Sequence, residues 1–278
     1  MRAAVPRLYV PATRLRPDAA AYDAPVATVI DLNADVGESV GAWPMGADEA
    51  LIPLVSSVNV ACGFHAGDPV TMRATVRLAL AAGASIGAHP GYPDLVGFGR
   101  RELAMSPDEL GAAVAYQVAA LAGIAHAEGG ELRHVKAHGA MYHRIASDPA
   151  AATAFATAVA RLDPSLRIVG PPGAAVFVAA AALGLTCVVE GFVDRVYEPD
   201  GRLRSRTLPR ALQLDRAMAA IQAVSIARDG FSEAADGSRV AVPAGTLCIH
   251  GDTPGAVSIA TSVRTALDGA GIEVRSPA

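Results

Sequence analysis

The 278-residue chain is 52% apolar and only 18% charged, enough to close one sizeable core. A net charge of −4 and a pI near 6.0 exclude the basic surface that nucleic acid or an anionic membrane would require. The three cysteines, Cys62, Cys187 and Cys248, are widely spaced and form no CxxC pair. They exclude a zinc knuckle or disulfide framework and fit a reducing cytoplasm.

In chain order, residues 1–27 carry Arg2, Arg7, Arg14 and Arg16 among scattered prolines. These interrupt the apolar run that a secretory signal needs, so the segment is expected to be a loosely attached or disordered extension. Residues 28–278 are expected to form one domain. No run of 18 apolar residues occurs, and no spanning helix is expected.

Short apolar runs predict strands over residues 28–32, 58–62, 85–88, 132–136, 166–169, 185–190 and 246–250. Helical patterns lie between them. One starts at Pro69 and repeats Met72, Val76 and Leu80 on one face. Another opens with Ser106-Pro107-Asp108-Glu109, a capping box with proline at the first helical position, and ends near Gly129-Gly130. Others begin at Asp148-Pro149 and Thr253-Pro254. The long stretch between the sixth and seventh strands has room for a helix around residues 215–228 and a small excursion or hairpin near Asp236-Gly237.

Alternating strands and helices imply a parallel sheet with helices outside. Six of the seven strands run into polar residues at their carboxyl ends: Asn33/Asp35, His65/Asp68, His89, His138, Asp194/Arg195 and His250/Asp252. An open sheet concentrates its site at one switch point, whereas a barrel gathers every strand end at one mouth. The expected fold is therefore α/β, a seven-stranded TIM-like (β/α) barrel.

Asp31, Asn33 and Asp35 alternate with apolar residues and share one side of the first strand, the barrel interior. Carboxylates there must be paired, metal-bound or catalytic. Glu38 reads equally well as a helix-cap acid. Asp68, before Pro69, reads as an N-cap, which leaves His65 facing the mouth. Cys62 reads as a buried thiol. His89 opens a loop dense in glycine and proline that carries Arg100 and Arg101, suited to holding a carboxylate or phosphate. Lys136 and His138 are two apart and share a face. Several histidines with an aspartate at one mouth leave a divalent metal open. No helical His-x-x-x-His or cysteine spacing picks out a ligand set, and acid–base use of the same residues needs none.

Six ordered motifs, DLNADVGE, NVACGFHAGDP, IGAHPGYPDLVGFGRR, HVKAHGAMYH, EGFVDRVYEPDG and CIHGDTPGA, resemble the LamB/YcsF family from about Val29 to Val274. Ala137, Val193 and Arg210 stand where that family commonly has proline, alanine and glycine. The resemblance implies a barrel related to that of the polysaccharide deacetylases (NodB-like). It also implies the A subunit of an ATP-dependent 5-oxoprolinase working with B and C subunits. ATP would be a co-substrate, bound together with the partners, because this chain has no phosphate-binding loop of its own. The partners would activate the lactam oxygen by phosphorylation, and this barrel would hydrolyse the product. Asp35, His65 and His138 would position and deprotonate water, and His250 would protonate the ring nitrogen. Asn33, His89, Arg100, Arg101, Lys136, Asp194 and Arg195 would bind the substrate. Two other readings are a metal-dependent carbohydrate N-deacetylase and a lactam-binding protein without catalysis.

Overall fold

The computed structural model describes residues 29–277, and the extension expected over residues 1–27 lies outside them. Strands β1 (Val29–Val36), β2 (Ser57–Ala61), β3 (Ser85–His89), β4 (Leu132–Lys136), β5 (Arg167–Gly170) and β6 (Cys187–Phe192) pair in sequence, all parallel. A short antiparallel hairpin, β7 (Phe231–Glu233) and β8 (Arg239–Ala241), follows. Then β9 (Thr246–His250) pairs with both β6 and β1 and closes a seven-stranded barrel. A two-residue β10 (Glu273–Val274) adds to the start of β1.

The period of two in β1 sorts its side chains. Ile30, Leu32, Ala34 and Val36 face outward into the apolar core between barrel and helices. Asp31, Asn33 and Asp35 face inward and are buried among polar groups. Asp31 accepts hydrogen bonds from Ser56, Ser57 and Thr246 near the amino ends of the strands. Next comes a layer of Asn33, Asn59, His134 and Glu190, with Asp35, His89, Lys136 and His250 towards the mouth. The barrel interior is thus largely polar, with Val169 and Val188 among its few apolar inward residues, and the hydrophobic core is the shell around it.

That shell is closed by eight helices among the described residues: α1 (Asp48–Leu51), α2 (Pro69–Ala82), α3 (Pro107–Ala127), α4 (Gly139–Ser147), α5 (Pro149–Leu162), α6 (Ala175–Ala182), α7 (Arg216–Asp229) and α8 (Ala256–Gly269). Helix α2 is capped by Asp68, which accepts from the amides of Val70 and Thr71. The Ser106–Glu109 capping box opens α3. By length and apolar composition α3 could cross a membrane, but Leu110, Val114, Val118 and Leu121 are buried in the shared core.

Four departures from expectation lie at the carboxyl ends of the strands. Strand β1 continues to Val36, so Asp35 lies within the strand. Strand β6 runs two residues beyond its expected end. Helix α4 was not signalled by an apolar repeat; it starts directly after β4, with His138 at its N-cap position. Helix α8 begins at Ala256 instead of Thr253-Pro254, because the Thr253 hydroxyl turns to Asp194 and Gly255 takes a left-handed φ of 79°.

Candidate active site

A cavity of about 750 Å³ opens over the carboxyl ends of the strands. Asp35, His89, Lys136, His138 and His250 form its floor, and Arg100, Arg144, Arg195 and Arg206 stand around its wall.

Lys136 anchors the floor. Its ammonium lies 2.8 Å from Asp35 Oδ1 and 2.8 Å from Glu190 Oε1, and it also reaches the Cys248 sulfur at 3.0 Å. Glu190 is held further by Asn33 and the Tyr142 hydroxyl. Burial works against charge on both Lys136 and Asp35, but the groups around them outweigh it. Asp35 sits well below the usual carboxylate range, drawn down by His89 and then by Lys136, and Lys136 sits well above its usual range, raised by Asp35 and then by Cys248 and Glu190. Asn59 donates 2.8 Å to the same Asp35 oxygen and accepts from the Nε2 hydrogen of His134. Burial pushes His134 down to about 3, so it serves as a neutral donor.

A second group sits behind the floor. The His65 and His138 rings stack in parallel with centroids 3.7 Å apart, and His89 meets both edge-on. Glu38 Oε1 is 3.9 Å from His65 Nε2 and from His138 Nδ1. Burial, followed by the neighbouring rings, holds His65 and His138 well below the usual imidazole range. Burial and Asp35 hold Glu38 well above the carboxylate range. The backbone is shaped around these rings. Phe98 adopts φ 54°, strained for a residue with a Cβ, and its carbonyl accepts from His138 Nε2 at 2.8 Å.

On the opposite wall, His250 Nδ1 lies 2.9 Å from Asp194 Oδ1. Asp194 also accepts from the His250 amide and the Thr253 hydroxyl. Burial opposes its charge, yet these partners keep its carboxyl below the ordinary value. A carboxylate on Nδ1–H leaves Nε2 free towards the cavity, the arrangement that orients a proton-transferring imidazole.

The residues expected at the mouth divide accordingly. Asp35, His89, Arg100, Lys136, His138, Arg195 and His250 line the one cavity. His65 stands behind His138, and Asp194 behind His250. Asn33 lies deeper and lines a separate space of about 20 Å³. Arg101 turns away from the cavity to pair with Asp94. Arg195 donates to the carbonyls of Arg204 and Ala211, which pins the loop between them over the cavity. The donors of Lys136 are taken up by its carboxylate, amide and thiol partners. Three contributors escaped sequence reasoning. Glu38 read equally well as a cap, while Asn59 and Glu190 lay within strands whose inward parity could have marked them.

The profile of the LamB/YcsF family matches residues 30–278. This chain belongs to the LamB/YcsF family. Among relatives, it is 53% identical over 248 residues to the A subunit of 5-oxoprolinase from Chloroflexus aggregans, covering 89% of this chain and 98% of that one. With the corresponding 5-oxoprolinase chain of Deinococcus radiodurans the identity is 54% over 240 residues, 85% and 93% of the two chains. The crystal structure of a lactam utilization protein from Thermus thermophilus superposes with a TM-score of 0.85 at 48% identity, covering 90% of this chain and all of that one. In this LamB/YcsF chain Arg210 holds a left-handed φ of 58°, the conformation that glycine adopts most cheaply.

Proposed function

We propose that this LamB/YcsF chain is the A subunit of a cytoplasmic, ATP-dependent 5-oxoprolinase. It would hydrolyse 5-oxo-L-proline to L-glutamate together with B and C subunits, with residues 28–278 as the working domain. The observation that carries the reading is the cavity, where an aspartate-oriented histidine faces arginines across a space far larger than a small lactam. The names of relatives at about half identity over nearly the whole chain supply the substrate.

The chemistry explains the arginines. A five-membered lactam is a resonance-stabilised amide with little ring strain, and opening it is coupled to ATP. Phosphorylation of the lactam oxygen makes the ring carbon electrophilic and adds an anion that Arg100 and Arg206 can hold. Water over the floor formed by Asp35, His89 and His138 adds to that carbon and gives its proton to the free Nε2 of His250. His250 Nε2 delivers a proton to the ring nitrogen, and the carbon–nitrogen bond breaks. The resulting acyl phosphate then gives glutamate and phosphate with a second water. Without that proton, phosphate would leave first and regenerate the lactam, so His250 decides whether ATP is used productively.

A glutamate-release assay with 5-oxoproline and ATP, adding the three components one at a time, tests the reading. Turnover is expected only when this chain joins its partners. ATP-dependent ring opening that proceeds without this chain, or by this chain alone, would overturn it.

A further inference from the structure

The group behind the cavity floor contains a hydrogen-bonding contradiction. His89 Nδ1 lies 2.8 Å from the Lys136 carbonyl, and His138 Nε2 lies 2.8 Å from the Phe98 carbonyl. Carbonyl oxygens only accept, so both of these nitrogens carry hydrogen. In neutral rings the lone pairs then fall on His89 Nε2 and His138 Nδ1. Those two atoms face each other at 3.0 Å. A third acceptor, Asp35 Oδ2, lies 3.3 Å from His89 Nε2. His65, beside them, is 1% exposed, and neither of its ring nitrogens has a hydrogen-bond partner among the described residues.

Acceptors pointed at one another require a cation. A proton between His89 and His138 would satisfy that pair but would leave His65 without a partner. A metal ion serves all four. One ligand atom each from Glu38, His65, His89 and His138 lies within 4.8 Å of the others. An ion with bonds of about 2.0–2.2 Å spans that separation after small side-chain shifts. The packing is built to hold the rings: a Cβ on Gly91 would stand 2.6 Å from His65 Nδ1, and one on Gly99 would stand 2.7 Å from His65 Cβ.

We propose that Glu38, His65, His89 and His138 form a site for one divalent transition-metal ion at the cavity floor. Three imidazoles and one carboxylate suit zinc, cobalt or a neighbouring first-row ion better than magnesium or calcium. An ion there supplies Lewis acidity towards a bound water or a substrate oxygen. The Lys136 carbonyl, accepting from His89 Nδ1, orients that ring, and Asp35 Oδ2 stands beside its ligand nitrogen. The inference rests on the histidine geometry and is independent of which substrate the cavity takes.

The test uses the full chain, dialysed against chelator and titrated with Co²⁺. One Co²⁺ per chain is expected, with visible d–d absorption and a raised melting temperature. His65→Ala and His138→Ala should weaken Co²⁺ binding by more than the roughly 10–100-fold loss typical of a change outside the ligand shell. Because either variant can fail to fold, imidazole ¹⁵N spectra of the wild-type chain provide a second readout. Addition of Zn²⁺ should shift His89 Nε2 and His138 Nδ1. Sub-stoichiometric Co²⁺ binding, binding unchanged in both folded variants, or a His138 Nδ1 that stays protonated with Zn²⁺ present would overturn the site.

Discussion

Lys136→Met separates two roles for this lysine, substrate ligand and structural counter-ion. The side chain is 2% exposed, and its ammonium lies between Asp35 and Glu190 at 2.8 Å from each. Methionine keeps most of the volume but leaves two buried carboxylates facing one another. Removing one partner of a buried ion pair costs about 3–5 kcal/mol. For a chain of this size that corresponds to a melting temperature lowered by about 6–20 °C. The sign with pH follows from Asp35. Its carboxyl is held below the ordinary value of 3.8, so its contribution is present above that pH and is lost on acidification. In the variant that carboxyl is expected to titrate higher, and the deficit against wild type should narrow as pH falls from about 7 to about 4. Adding Glu190→Gln should restore part of the loss by removing one of the stranded charges. Scanning calorimetry with circular dichroism measures all three effects. A variant that melts like wild type while the Michaelis constant for 5-oxoproline rises would refute the counter-ion argument and restore Lys136 as a substrate ligand.

Other predictions address different parts of the interior. A Cβ on Gly87 would lie 2.0 Å from His134 Nε2, so Gly87→Ala must expel the ring and break its bond to Asn59; overpacking plus a stranded polar group costs about 2–6 kcal/mol, readable by urea unfolding. His134 is neutral in the fold, pushed down to about 3 against an ordinary 6.5, so the unfolded chain binds the proton first. Stability should therefore be fullest above about pH 6.5 and decline towards pH 3, and His134→Gln should flatten that slope in denaturant titrations. Asp194→Asn keeps the shape beside His250 but not the charge, and should lower turnover of the reconstituted enzyme by about 10²–10⁴-fold with an unchanged circular dichroism spectrum; full turnover would remove His250 as the proton donor.

The barrel was legible because its polar residues recur where strands end, a pattern that local propensity does not require. The hairpin at Asp236-Gly237 and the caps at Asp68 and Ser106 were legible from turn and capping chemistry, which is local. Distinguishing Arg100 from Arg101 was not possible, because a loop with φ 54° at Phe98 and 62° at Gly99 decides which one faces the cavity. Glu38 was obscured for a related reason. An acid just past a strand end matches a capping position, and its approach to His65 and His138 depends on two other loops. His138 was expected to continue the face of Lys136 along the strand; instead the strand ends at Lys136 and the ring leaves the ladder at the start of α4.

The polar interior also explains why this barrel needs so complete an outer shell. A TIM-like barrel ordinarily fills its centre with branched apolar side chains, and that packing contributes to stability. Here the inward positions of β1 are Asp31, Asn33 and Asp35, and those of β9 are Thr246, Cys248 and His250. Each buried polar group needs a partner, and a partly satisfied network is worse than an apolar one. The strands accordingly supply donors and acceptors in register, Asp31 beside Thr246 and Asp35 between Asn59 and His250. Apolar stabilisation falls to the outward residues and the helix faces packed on them, where Leu32, Val58, Val60, Val114 and Phe155 are fully buried. The interior is therefore constrained by hydrogen bonding and charge, and a substitution there is expected to disturb the ionisation of the floor before it empties a cavity. The exception is His65: both its ring nitrogens are buried without a hydrogen-bond partner among the described residues, and the atoms that could complete its shell are the facing nitrogens and carboxylate that a cation would draw together.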